Sequence, residues 1–186
     1  MISANELRTG VTFEIDGQAF VVIQFTHIKP GKGSPFVRLK MRNLMTGNVI
    51  EQTFRPDEKV KSAYLEHKKM QYLYDTDGVY TFMDSETYEQ ISLTKDDLGD
   101  AVNYLIENIM VDVVYFQEKP VSVELPTFIE AVITESEPGV KGDTATGASK
   151  PAKIETGYTV MVPLFVNEGD KIRIDTRSGE YLERVK

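Results

Sequence analysis

The chain has 186 residues, 41% of them hydrophobic, a net charge of −8 and no cysteine. That length holds one large domain or two to three small ones, and the missing cysteines exclude disulfides and thiolate metal sites. The only histidines, His27 and His67, are too far apart in sequence for a histidine metal cluster.

No apolar run approaches the ~18 residues of a membrane span. Met1–Glu6 lacks the basic-then-apolar pattern of a secretory signal. No membrane association is expected, and the chain reads as cytoplasmic. Charge is unevenly spread. Residues 1–63 carry 9 basic and 6 acidic side chains, residues 64–127 carry 4 and 13, and residues 128–186 carry 8 and 10. The net charges are +3, −9 and −2, so a positive field sits at one end of an acidic molecule.

In chain order, Val11–Ile15 and Gln18–Phe25 flank Asp16-Gly17, a two-residue hairpin signal. Apolar runs Phe20–Ile28 and Phe36–Leu44 then flank Lys29-Pro30-Gly31-Lys32-Gly33-Ser34-Pro35 and predict a second, longer hairpin with that loop at its tip. Glycines on either side of Lys32 permit tight or positive-φ backbone, and the prolines stiffen the shoulders. From Gly17 to Ile50 there is no Asp or Glu, while Lys29, Lys32, Arg38, Lys40 and Arg42 fall in that span. Val37, Leu39 and Met41 alternate with Arg38, Lys40 and Arg42, so period two puts the three cations in a row. A solvated strand face is the plain alternative. An acid-free stretch in an acidic chain favours a hairpin offered to a polyanion, RNA above all. Thr46-Gly47-Asn48 turns into Val49–Phe54, completing five short strands, the size of an SH3-like barrel.

In the middle third, Met70–Tyr74 and Val79–Met83 bracket a hairpin loop at Asp75-Thr76-Asp77-Gly78, and Tyr88–Leu93 follows. Thr94 with Asp97 reads as a capping box, and Leu98, Val102, Leu105, Ile106 and Ile109 at helical spacing predict a short amphipathic helix. Val111–Phe116 and Val121–Leu125 close an OB-type set of strands, one helix, then strands. The last third has Phe128–Thr134, a polar segment Glu135–Pro151, then Tyr158–Val166, Lys171–Asp175 and Tyr181–Val185, a second OB-like set. The expectation is an all-β chain of three small barrels in series, at 1–63, 64–127 and 128–186. Set end to end, they would span on the order of 80 Å.

Catalytic readings fare poorly. Gly31-Lys32-Gly33 is no phosphate-binding loop, since Thr26 and Gly33 stand where Gly and Ser/Thr are needed and a strand follows, not a helix. The 13 acids of the middle third fall in turns and at a helix start, without a complete calcium loop or a nucleophile–base set, although a carboxylate pair for acid–base work is the enzymatic alternative. The loop 138–147, with Gly142, Asp143 and Thr144, is longer and more glycine-rich than a connector requires and is a candidate contact.

The tip Lys29-Pro-Gly-Lys-Gly, and the run Lys150-Pro151-Ala152 through Gly157, Val160, Val162-Pro163-Leu164-Phe165-Val166 and Gly169, together resemble the bacterial translation elongation factor P family. So do Pro138-Gly-Val-Lys-Gly-Asp-Thr-Ala and Asp175-Thr-Arg-Ser-Gly-Glu-Tyr181. The resemblance implies an SH3/KOW-like domain followed by two OB-like domains in an L shape. It also implies a non-enzymatic monomer, without cofactor, that binds the 70S ribosome beside peptidyl-tRNA and promotes peptide-bond formation, especially at consecutive prolines. Lys32 would approach the CCA end, and in many members this lysine receives an extension from a modifying enzyme. Lys29, Pro30, Gly31, Gly33, Arg38, Lys40 and Arg42 would contact tRNA or rRNA, Gly142, Asp143 and Thr144 would lie on the small-subunit side near the exit-site codon, and ribosomal proteins would be further partners. Ser34-Pro35 stands where many members have Gly or Ala and then Ala before the Phe, and Pro35 makes the loop stiffer. The rival readings are a non-translational RNA-binding module and a paralogue with another ribosomal task.

Overall fold

The computed structural model describes residues 1–138 and 148–186. The chain divides into two compact units, one of residues 1–68 with 113–122, the other of 69–112 with 123–186.

In the first unit, β1 (Ile2–Ser3), β2 (Thr12–Ile15), β3 (Gln18–Ile28), β4 (Phe36–Asn43), β5 (Val49–Phe54) and β6 (Lys59–Ser62) form one sheet in the order β1-β6-β2-β3-β4-β5. The sheet has six strands rather than five, because the chain returns after Pro56 to pair β6 with β2 and β1. Asp16 and Gly17 both take positive φ, 52° and 76°, the geometry a two-residue turn between right-twisted strands requires. Inward residues alternate with outward ones and meet in a core of Leu7, Phe13, Phe20, Val22, Val37, Leu39, Met41 and Phe54. Phe13 and Phe20 are cross-strand partners with ring centroids 5.8 Å apart, so each ring supports the register that buries the other. Residues 113–122 complete the unit: Val114, Phe116 and Val121 cluster with buried Ala19, and Leu44, Ala63 and Leu65 pack around them.

The second unit contains most of β7 (Glu66–Thr76), then β8 (Val79–Asp84) and β9 (Gln90–Thr94) in an antiparallel meander. The β8–β9 turn repeats the device of the β4–β5 turn. Asn43 Oδ1 accepts the N–H of Met45 and Thr46 at 2.8 and 3.2 Å, and Asp84 Oδ1 accepts those of Glu86 and Thr87 at the same distances. Helix α1 (Lys95–Leu98) starts on the expected capping box, with Thr94 Oγ1 accepting from Asp97 N–H. It ends after one turn, where the periodicity had predicted a run to Ile109. Gly99 adopts φ 57°, ψ −133°, a region open to glycine and costly for other residues, and a 3₁₀ segment, Gly99–Tyr104, takes over.

Strands β10 (Met110–Phe116) and β11 (Lys119–Glu124) follow, then β12 (Phe128–Ser136), β13 (Ser149–Ile154), β14 (Thr159–Pro163), β15 (Lys171–Asp175) and β16 (Glu180–Val185). The last five form a sheet in the order β14-β13-β12-β15-β16. β12 pairs with β15 along its first half and with β13 along its second, the register shifting between Ile133 and Glu135. β13 reaches into the stretch read as polar loop. Pro151 is tolerated there because pairing with β12 ends at Ala152, leaving no ladder bond for its missing N–H to break. The core holds Ile129, Ile133, Ile154, Val160, Val162, Ile172 and Ile174, and Tyr104 is buried with them. Among the described residues the chain is all-β, as expected, apart from these short helical turns and a 3₁₀ turn at Ala4–Glu6.

Candidate nucleic-acid interface

The hairpin of β3 and β4 carries the site. Pairing runs out to His27↔Val37 and Ile28↔Phe36, and β5 flanks β4 as far as Val37↔Phe54. The stem is therefore braced by a third strand almost to its end, and only residues 29–35 protrude. A bulge between Val22 and Gln24 adds twist to the stem.

Within the loop, Lys29, Gly31, Lys32, Gly33, Ser34 and Pro35 are exposed and Pro30 is half-buried. The two glycines differ. Gly33 holds φ +108°, which L side chains rarely adopt, whereas Gly31 has no left-handed φ. A Cβ on Gly33 would come no nearer than 3.8 Å to Pro30 Cγ, so conformation, not crowding, demands glycine there. Lys32 makes no hydrogen bond or ion pair among the described residues. An inward-packed or carboxylate-bound amine would have defeated the reading of a cation offered outward.

Along β4, Val37, Leu39 and Met41 are buried and Arg38, Lys40 and Arg42 are exposed, the row that period two predicts. Its neighbours on β3 are uncharged: Thr26 lies opposite Arg38 and Gln24 opposite Lys40. On the other side, Glu51 of β5 lies opposite Lys40 and approaches Arg38 at 3.7 Å. That acid was missed from sequence because it lies just beyond the acid-free span. The turn around Gly47 folds it back onto the row, and counting register across that turn would have found it. The pair is half exposed on both sides, so it holds Arg38 weakly. Lys29, Lys40 and Arg42 have no ion-pair partner among the described residues. Gln24, Thr26 and His27, all exposed on the stem, are polar neighbours that sequence reasoning did not single out. Gly142, Asp143 and Thr144 lie outside the described residues.

Three family models cover the chain almost end to end: the elongation factor P KOW-like domain matches residues 3–60, the elongation factor P OB domain 65–123, and the elongation factor P C-terminal model 129–184. Among curated relatives, elongation factor P of Thermoanaerobacter sp. (strain X514) is 58% identical over 185 residues, covering all of both chains. That of Acetivibrio thermocellus is 56% identical with the same coverage, and that of Natranaerobius thermophilus is 52% identical over 186 residues, covering 99% of its length. A solved structure, the eukaryotic translation initiation factor 5A from Methanococcus jannaschii, matches 67% of this chain and 90% of its own with a TM-score of 0.52 at 20% identity, which is a likeness of fold.

Proposed function

The chain belongs to the elongation factor P family, translation elongation factors and not enzymes, and from that premise we propose that it binds the ribosome beside peptidyl-tRNA and promotes peptide-bond formation at consecutive prolines. The exposed Lys32 ammonium at the end of a sheet-braced hairpin is the observation that carries this reading. Proline's ring restricts the geometry of donor and acceptor. A factor that lends no reacting group can still help by holding the donor in a productive pose. Lys32 supplies a cation to the tRNA's CCA end, with Lys29, Pro30, Gly31 and Gly33 shaping the approach. Arg38, Lys40 and Arg42 bind backbone phosphates and set the register of the complex. An enzymatically attached extension on Lys32 would lengthen that reach.

The same reading makes the protein a cytoplasmic monomer with rRNA and ribosomal proteins as partners, its barrels divided at 63/64 and 127/128, and Gly142, Asp143 and Thr144 on the small-subunit side. The test is a polyproline reporter in cells lacking the factor. Lys32→Ala is expected to abolish rescue while its stability stays within about 0.5 kcal/mol of wild type, as befits an exposed side chain. Wild-type rescue by that variant overturns the assignment.

A further inference from the structure

The C-terminal sheet begins and ends on strands that lie near each other without joining. Among the described residues, β14 pairs only with β13 and β16 only with β15. Between the two outer strands is a cleft of about 600 Å³, with Tyr158, Thr159, Met161, Glu180 and Tyr181 among its walls.

The backbone of β14 is polarised toward this cleft. Ile154 N–H donates to the Tyr158 carbonyl at 2.9 Å, and bonded and non-bonded pairs alternate along an antiparallel ladder. Val160 opposite Ala152 and Val162 opposite Lys150 therefore turn their polar groups into the sheet, while Thr159 and Met161 turn theirs into the cleft. Both prolines agree with this phase. Pro151 faces Met161 and Pro163 faces Ser149, positions at which the β13–β14 ladder uses no N–H.

An unpaired edge is a template for another strand unless charge, bulge or proline blunts it. β14 reads Thr-Val-Met-Val-Pro, uncharged and β-prone, with proline only at its end. Met161 is 56% exposed beside half-buried Tyr181, and Glu180 is the one ionised side chain among the cleft's lining residues. We propose that β14 docks one extended peptide strand from a protein partner. Thr159 and Met161 exchange backbone hydrogen bonds with it, an apolar side chain rests on Met161 and Tyr181, and a basic one faces Glu180. This is recognition by strand addition, in which the backbone gives affinity and alternate side chains give selectivity. It is separate from the cationic hairpin.

The probe is a capped six-residue peptide alternating valine and lysine, titrated into the isotope-labelled full chain and followed by amide NMR. Thr159, Met161 and Tyr181 signals are expected to shift, and hydrogen exchange at Thr159 and Met161 to slow about tenfold on binding. Glu180→Gln is expected to weaken binding several-fold. Met161→Pro, which removes both a cleft-facing N–H and the Met161 side chain, is expected to abolish it. A peptide N-methylated at alternate residues tests the same bonds with the protein untouched, and is expected not to bind. Equal binding of the methylated peptide overturns the proposal. So does an absence of shifts at Thr159 and Met161 at millimolar peptide, or their concentration-dependent protection without peptide, which would mean that copies of the chain pair with each other there.

Discussion

Arg38 Nε lies 3.7 Å from Glu51 Oε1 across the β4–β5 ladder, and Glu51 also sits opposite Lys40. The cationic row thus carries its own weak internal counter-charge. If the row binds RNA phosphates, the Arg38/Lys40/Arg42 triple alanine variant should flatten the salt dependence of ribosome binding by about 0.7–0.9 log units for each phosphate left without its cation. Glu51→Gln should bind more tightly at low salt. Ribosome co-sedimentation across a salt series measures both, and an unchanged slope in the triple variant removes the row from the interface.

Gly179 has φ +76°, and a Cβ there would fall 2.8 Å from Tyr104 Oη and 3.3 Å from Tyr158 Oη. Gly179→Ala should therefore cost about 1–3 kcal/mol, from left-handed strain and from the displaced tyrosine. Tyr104→Phe removes the nearer oxygen, so the double variant should lose less than the sum of the singles. A double-mutant cycle in urea reads the coupling.

The same tyrosine gives a pH dependence. Burial, then its hydrogen bond with Tyr158, pushes the Tyr104 hydroxyl up to about 12. The unfolded chain gives up this proton near pH 10, the folded chain only at higher pH, so the folded state binds more protons in between. Stability from this group is complete below pH 10 and is lost as pH rises from about 10 toward 12. Tyr72, buried and bonded to Asp75, is raised in the same direction. Tyr181 is raised as well, chiefly by burial, so ultraviolet titration should show three tyrosines ionising late, together with the onset of alkaline unfolding; Tyr104→Phe should remove one of them.

Tyr88 has φ +62° at the position of the β8–β9 turn that Gly47, at φ +79°, occupies in the β4–β5 turn. Its side chain is mostly exposed, so little packing offsets the strain. Relief of about 1–2 kcal/mol of left-handed strain should slightly exceed the entropy that glycine adds to the unfolded chain, about 0.4–1 kcal/mol. Tyr88→Gly is thus expected to be neutral to mildly stabilising in thermal unfolding. A clear loss of stability would mean the ring does something for the fold that its exposure conceals.

Legibility followed periodicity. The alternation Val37-Arg38-Leu39-Lys40-Met41-Arg42 gave β4, its buried face and its cationic face together, since one face must enter the core. Asp16-Gly17 and Asp77-Gly78 marked their turns because those turns demand positive φ, which both pairs adopt. The helical spacing from Leu98 to Ile109 misled, because Gly99 breaks the helix by a conformation that a count of apolar positions does not register. β13 was hidden since Lys150 and Pro151 read as loop chemistry. The Lys150 stem is in fact buried, with its ammonium donating to the Glu137 carbonyl at 2.6 Å. Glu51 was hidden for another reason: its effect on the cationic row depends on register across a turn, which sequence windows do not carry.

Ala19, wholly buried, belongs to a cluster whose other members, Val114, Phe116 and Val121, are encoded some ninety-five residues downstream. The amino-terminal barrel is therefore not a cassette. A gene fragment stopping at residue 63 would leave an apolar scar where those side chains belong, and recombination between relatives within the intervening stretch would join two surfaces never selected to match. Selection on this part of the protein should act on both segments as one inherited block.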